Sequence, residues 1–290
     1  MRAFLLLLFF ISALLASNVE ISEMSVANGK TLLIEFDKNE SIKYNEVRVD
    51  KKNYKIFDNP LYNQKMYALI PISYYEKPRD VNLSLIYKEK NTPLEKSLLF
   101  HIKDGKYEKE TLKVSNSKVN PNKKDQQRAA KENKEAMDIY NTITTESYIT
   151  SPFILPLESK ITSSFGKARV YNDTLKGYHS GTDFRAKVGT PLTACNDGVV
   201  VLAKDRFYSG GSVIIDHGHG IYTCYFHMSK FSVKKNQKIE KSQIIGLSGK
   251  SGRVTGPHLH FSARVNGVQV DPMQLISLIN DKLLKNTIKE

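Results

Sequence analysis

Short β-rich runs, apolar for much of their length and punctuated by turn residues, dominate the first hundred positions of this chain. Thr31 to Phe36, Lys65 to Ile72, Asp80 to Tyr87 and Ser97 to Lys103 read as strands, with Asn28-Gly29 and Asp104-Gly105 as turn dipeptides of the hairpin sort. No amphipathic helix interrupts them, so residues 17–114 are expected to form a small β-sandwich-like domain. The pattern changes at Ser115 to Lys124, a polar stretch with Pro121 between Asn120 and Asn122. Lys123 to Tyr140 is rich in Ala, Glu, Lys and Gln and lacks Gly and Pro, which predicts a connecting helix with Ala129, Ala130, Met137 and Tyr140 as its apolar stripe. The linker, residues 115–156, ends in a loop with two prolines, Pro152 and Pro156. Strand-like runs then return at Pro191 to Ala194, Gly198 to Ala203, Ser212 to Asp216, Ile221 to His227 and His258 to Val265. They predict a second β domain over residues 157–279. Helical signal reappears only at Met273 to Leu284, and residues 280–290 are expected to be a C-terminal tail. The chain is therefore expected to be mainly β, in two domains joined by a helix.

The first sixteen residues stand apart. Arg2 is followed by an apolar run from Ala3 to Leu15, broken only by Ser12, and then by the small residues Ala16 and Ser17. A transmembrane helix needs roughly 20 apolar residues, so this run fits the apolar core of a secretory signal peptide over residues 1–16. An uncleaved membrane anchor is the competing reading. Export to the periplasm or cell envelope is the expected destination. A net charge of +13 in 290 residues then points to an anionic surface such as cell wall or lipid headgroups. No nucleic-acid-binding motif is present, and nucleic acid is not expected as a partner. Cys195 and Cys224 each sit in an apolar strand-like run, which favours two buried thiols over a bridge.

Six of the seven histidines lie between His179 and His260. His258 and His260 are two apart, so in a strand both imidazoles share one face while Leu259 turns to the other. In Tyr178-His179-Ser180-Gly181-Thr182-Asp183-Phe184, a histidine and a carboxylate lie four apart with Gly181 between, which permits a turn that aims both side chains at one point. His and Asp are good zinc ligands, and a three-ligand set leaves the fourth tetrahedral position for water, as in catalytic zinc sites. His227 ends a strand-like run and can reach the others only across a sheet; a histidine beside a metal but not on it can act as general acid or base. His217 and His219 flank Gly218 at a turn and are expected to be structural, as is Asp216.

These pieces together resemble the M23 family of zinc peptidases, of the lysostaphin and LytM type. The resemblance rests on His179-x-x-x-Asp183, Tyr225-x-His227 and Gly256-Pro257-His258-Leu259-His260-Phe261, with Phe165-Gly166, Gly189-Thr190-Pro191, Gly198-Val199-Val200 and Ile215-Asp216-His217-Gly218 in support. It covers about Ile161 to Pro272. It implies an antiparallel β-sheet peptidase domain in which His179, Asp183 and His260 bind Zn2+ and His227 and His258 are the two catalytic histidines that do not bind it. It further implies hydrolysis of peptide bonds in peptidoglycan, first as a D,D-endopeptidase on cross-links and then as a D,D-carboxypeptidase, by an envelope protein acting as a monomer beside other envelope components. A non-hydrolytic activator of another wall hydrolase is the alternative, and the complete set of five residues counts against it. The groove walls are expected at Ala168 to Lys176, Lys204 to Gly211 and Ser248 to Gly256, with Arg169 and Asn172 as substrate contacts. The region upstream of residue 157 is expected either to limit access to the groove or to position the enzyme on the wall.

Overall fold

Two β-sheets face each other across the first hundred residues of the computed structural model, which describes residues 19–173 and 175–285. The expected signal peptide over residues 1–16 lies outside the described residues. One sheet runs Val19–Ile21, Thr31–Asp37, Lys65–Pro71, Phe57–Asp58; the other runs Ser25–Ala27, Thr92–Lys103, Arg79–Glu89, Ile42–Val49, Lys52–Lys55. Leu32, Ile34 and Phe36 of the first meet Val47, Leu83 and Phe100 of the second in a shared core. This is the small sandwich that the succession of short strands predicts. Its turns differ from expectation. Ser25–Ala27 pairs with Thr92–Lys103 while Thr31–Asp37 belongs to the opposite sheet. Asn28-Gly29 is therefore a corner between sheets, with Gly29 at φ +81°. Asp104-Gly105 leads out of the sandwich, the Gly105 N–H donating to Asn28 Oδ1 at 2.8 Å. A tight hairpin instead sits at Lys90-Asn91, both at positive φ, between the paired residues Glu89 and Thr92.

The second half is built on one large antiparallel sheet. Its labelled strands, together with the three that flank it, are β1 (Lys109–Leu112), β2 (Ala168–Tyr171), β3 (Leu175–Tyr178), β4 (Thr182–Arg185), β5 (Gly198–Arg206), β6 (Gly210–Asp216), β7 (Ile221–Met228) and β8 (His258–Val265). The large sheet runs Ile161–Ser163, β4, β8, β7, β6, β5, Lys238–Ile239, while β1, β2 and β3 form a small sheet beside it. β2 and β3 make an antiparallel hairpin, and β1 arrives from the end of the sandwich to pair with β2 in parallel.

Alternate side chains of β8 separate the faces. Leu259, Phe261, Ala263 and Val265 enter the larger core, with Tyr225 of β7 and Val213 and Ile215 of β6. Part of the opposite face is covered by helix α1 (Lys123–Tyr140), whose Ala136 and Tyr140 pack on Leu202, Ile214, Tyr222, Cys224 and Phe226. The helix has the predicted bounds, with the Asn122 side chain capping it by accepting from the Asp125 N–H. Its buried row is Glu132, Ala136 and Tyr140, and Ala130 is exposed. Glu132 belongs in that row because its carboxylate accepts from Arg128 Nε and from the Phe207 N–H, each at 2.7 Å. Cys195 and Cys224 are buried free thiols in different clusters.

The larger core is not confined to the second half. Leu33, Phe57, Tyr67 and Leu69 of the sandwich belong to it. At the far end, α2 (Pro272–Leu278) continues into a π-helical turn, Ile279–Leu283, and Leu283 and Leu284 are buried. The segment expected as a tail from residue 280 is thus packed up to Leu284, because its leucines reach that core. The Asn59 side chain donates to the Leu283 carbonyl at 2.7 Å. Among the described residues no helix is long and apolar enough to cross a membrane.

Candidate metal centre and groove

Asp183 and His260 are direct cross-strand partners, one on β4 and one on β8. Opposed residues of an antiparallel pair project to the same face, so this register alone brings the carboxylate and the imidazole together. His179 enters from the turn after β3. Gly181 makes the approach possible: a Cβ there would lie 2.4 Å from the Phe261 carbonyl oxygen and 2.7 Å from His260 Nε2. The glycine is needed for close packing against β8 rather than for the turn expected from the sequence; its φ is not positive.

His179 Nε2, Asp183 Oδ1 and His260 Nδ1 form a triangle with edges of 2.9, 2.8 and 3.0 Å. All three residues are buried, and their donor atoms lie within 4.8 Å of one another. His179 Nδ1 is 2.7 Å from the Ser164 carbonyl oxygen, to which it donates, so its Nε2 turns a lone pair toward the other two atoms. Two imidazoles and one carboxylate converging this closely suit a divalent metal held by two nitrogens and one oxygen, with further positions left open. Burial alone would raise the Asp183 carboxyl, but hydrogen bonds with His179 and His260 hold it well below the usual carboxylate range. Burial lowers His260 to about 4, against the hydrogen bond to Asp183 that raises it. Carboxylate and neutral imidazole are the forms that ligate metal.

The other carboxylate oxygen is also held. Arg169 of β2 donates to Asp183 Oδ2 at 3.3 Å and to Ser163 Oγ at 3.1 Å, and its Nε donates to Glu110 Oε1 of β1 at 2.5 Å. Arg169, expected as a substrate contact, is thus engaged with Asp183. Asn172 is likewise engaged elsewhere, with its side chain bonded to both the N–H and the carbonyl of Val114.

His227 and His258 lie beside this triangle, their ring centroids 4.9 Å apart. His258 shares the His260 face of β8, with Nε2 3.6 Å from Asp183 Oδ1. A bulge aims His227. Gly211 opposes Met228 and Val213 opposes Tyr225, so Phe226 and His227 together face Ser212, and His227 takes φ +62°. A left-handed histidine at such a bulge is the backbone strain that functional sites retain. His227 Nδ1 donates to the Ser251 carbonyl and His258 Nδ1 to the Gly256 carbonyl, both at 2.8 Å, which leaves Nε2 of each ring for the groove. Burial, reinforced by His260 and His258, holds His227 well below the ordinary histidine value.

His217 and His219 lie elsewhere. His217 donates to the Asp197 carbonyl at 2.6 Å, and His219 stacks on Phe57 of the sandwich at 4.1 Å. Asp216 accepts from Thr144 Oγ1 and from the Gly218 N–H, as a turn residue does. Two adjoining cavities open over the histidines, and His227, Arg169, Tyr171 and Arg253 line both. Their walls include Tyr171, Tyr208 and Arg253, one from each of the three segments expected to form the groove. Neither Glu110 nor Arg253 is conspicuous in the sequence: Arg253 lies in an expected wall, whereas no local pattern links Glu110 to a site 73 positions downstream.

The model of peptidase family M23 matches residues 177–272, the segment holding all five of these residues. The chain carries an M23 peptidase domain. Peptidoglycan DD-endopeptidase ShyA of Vibrio cholerae is 46% identical over 122 residues, which are 41% of this chain and 28% of ShyA. DD-carboxypeptidase/endopeptidase Mpg of Neisseria meningitidis is 40% identical over 97 residues, 33% of this chain and 22% of Mpg. The chain thus matches less than a third of the length of either relative. A crystal structure from Pseudomonas aeruginosa described as a peptidase M23 superposes with a TM-score of 0.66 at 24% identity, covering 86% of this chain and 94% of that one. The fold is therefore shared well beyond the M23 domain and includes most of the upstream half.

Proposed function

We propose that this protein is a zinc-dependent hydrolase of peptide bonds in peptidoglycan stems. It opens D,D cross-links as an endopeptidase and trims uncross-linked stems as a D,D-carboxypeptidase. It acts in the cell envelope after export through its N-terminal apolar segment. The observation that carries this reading is the convergence of His179 Nε2, Asp183 Oδ1 and His260 Nδ1 beside two further histidines. The names of the similar proteins support the substrate, since ShyA is a DD-endopeptidase and Mpg a DD-carboxypeptidase/endopeptidase.

His179, Asp183 and His260 would hold the zinc. Zinc in such a site supplies a water acidified to near neutrality and a Lewis acid for the scissile carbonyl. His227 and His258, each fixed by its Nδ1–H on a backbone carbonyl, present Nε2 to the reacting groups. Between them they accept the proton of the attacking water, return one to the leaving amine and donate to the developing oxyanion. Burial beside Phe226, whose ring stacks on His260 at 5.7 Å, limits bulk water around these groups.

Digestion of purified sacculi tests the reading. The zinc-loaded protein should convert cross-linked muropeptide dimers to monomers, a chelator should stop it, and added zinc should restore it. Failure of the zinc-loaded protein to release any product from sacculi or soluble muropeptides would overturn it.

A further inference from the structure

Resting on the peptidase reading, we infer that Arg253 is a carboxylate-binding site in the groove and sets which peptide stems are cut. The guanidinium carbon lies 4.4 Å from the Tyr171 ring centroid and 4.7 Å from that of Tyr208. The backbone is pinned as well, the Arg253 N–H donating to the Tyr208 carbonyl at 2.8 Å. One residue from each groove wall thus joins in a single stack that bridges the two cavities. Contact through aromatic faces holds a guanidinium while leaving its in-plane N–H groups open. Among the described residues those N–H groups make no hydrogen bond or ion pair. Arg169, the other arginine lining both cavities, is already neutralised by Glu110 and Asp183.

A planar, permanently charged fork with five donors matches a carboxylate through two parallel hydrogen bonds. The anionic group that a peptide stem brings to a groove is a carboxylate, either at its free C-terminus or on a side chain within the stem. Ser251, whose carbonyl orients His227, lies two residues before Arg253 in the same loop. A carboxylate docked on Arg253 is therefore registered against the catalytic histidines by one short segment of backbone. That coupling makes it a specificity determinant rather than a distant anchor.

The test uses the full zinc-loaded chain and two pairs of soluble muropeptides. One pair is an uncross-linked pentapeptide stem with its C-terminus free or amidated; the other is a cross-linked dimer with its side-chain carboxylates free or amidated. Wild-type kcat/KM should favour the free carboxylate in one pair by about 10- to 100-fold, the worth of a charge-assisted hydrogen-bonded pair. Preference in the first pair assigns the terminal carboxylate, and preference in the second assigns the internal one. Arg253→Gln should bring the free-to-amidated ratio close to one, and Arg253→Lys should keep part of it, having charge without the fork. Wild-type indifference in both pairs overturns the inference without needing any variant. Preference that survives in Arg253→Gln also overturns it. If the wild type cleaves neither pair, the peptidase reading falls first and takes this inference with it; cleavage without preference leaves that reading intact.

Discussion

Asp183 divides its two oxygens between two tasks. Oδ1 faces His179 and His260, and Oδ2 takes a hydrogen bond from Arg169. His227 and His258 face the same space but have their Nδ1 atoms on backbone carbonyls and contribute no atom to the triangle. His179→Ala and Asp183→Ala should therefore lose zinc and activity together. His227→Ala should retain zinc, read by metal content after dialysis, while turnover falls by roughly 10²- to 10⁴-fold, as expected when one positioned proton-transfer group is removed. An empty site in His227→Ala would refute this division of roles. The His258-x-His260 spacing was readable as one strand face, and Leu259 does turn into the core. What joins them to His179 and Asp183 is the register of β4 on β8, which leaves no local trace. The bulge that aims His227 leaves none either, because an extra residue in a strand alters pairing without altering composition.

At the scale of elements, β1 crosses from one half of the molecule to the other. It leaves the sandwich and pairs in parallel with β2, placing Glu110 directly opposite Arg169. Glu110 balances the charge of Arg169, which in turn fixes Asp183. Partners that orient a ligand typically alter metal affinity by 10- to 100-fold when removed. Glu110→Gln should weaken zinc binding by about that range, measured by competition with a chromogenic chelator on protein whose circular dichroism is unchanged. Unaltered affinity would reduce Glu110 to a surface residue of an edge strand. Strands carried by a continuous apolar or β-rich run were legible, and Thr31–Asp37, Lys65–Pro71 and β5 to β8 lie close to their expected bounds. Ile42–Val49 carries no continuous apolar run: its buried positions are Ile42, Tyr44, Val47 and Val49, and a register shift between Tyr44 and Glu46 interrupts their alternation. β1 offered no signal, since Lys109, Glu110 and Thr111 are polar on both faces and the strand is specified by its partner.

The two halves of the molecule meet through a buried histidine, and this contact bears on what the upstream region does. His219 takes φ +52° at the turn between β6 and β7 and inserts between sandwich residues. Its ring stacks on Phe57 at 4.1 Å, its Nδ1 is 2.7 Å from Tyr67 Oη, and its Nε2 donates to the Thr145 carbonyl at 3.1 Å. With Leu33, Phe57, Tyr67 and Leu69 inside the larger core, the sandwich stabilises the peptidase half directly, whatever else it does. Burial lowers His219 to about 4, against the Thr145 hydrogen bond and the nearby Asp58, which raise it. The folded protein therefore binds this proton less readily than the unfolded chain, whose histidines titrate near 6.5. The contribution to stability is full above about pH 6.5 and is lost as pH falls toward about 4, a loss of order 3 kcal/mol for one such group. His217, lowered to about 4 mainly by burial, adds a change of the same sign. Denaturant midpoints of the full chain should accordingly fall between pH 6.5 and 4. His219→Asn suits the left-handed backbone and removes the titrating group, so its midpoint, although lower at neutral pH, should decline less steeply over that interval. Parallel slopes for the two proteins would show that His219 titrates alike in the folded and unfolded states, and that the acid sensitivity of the junction lies elsewhere.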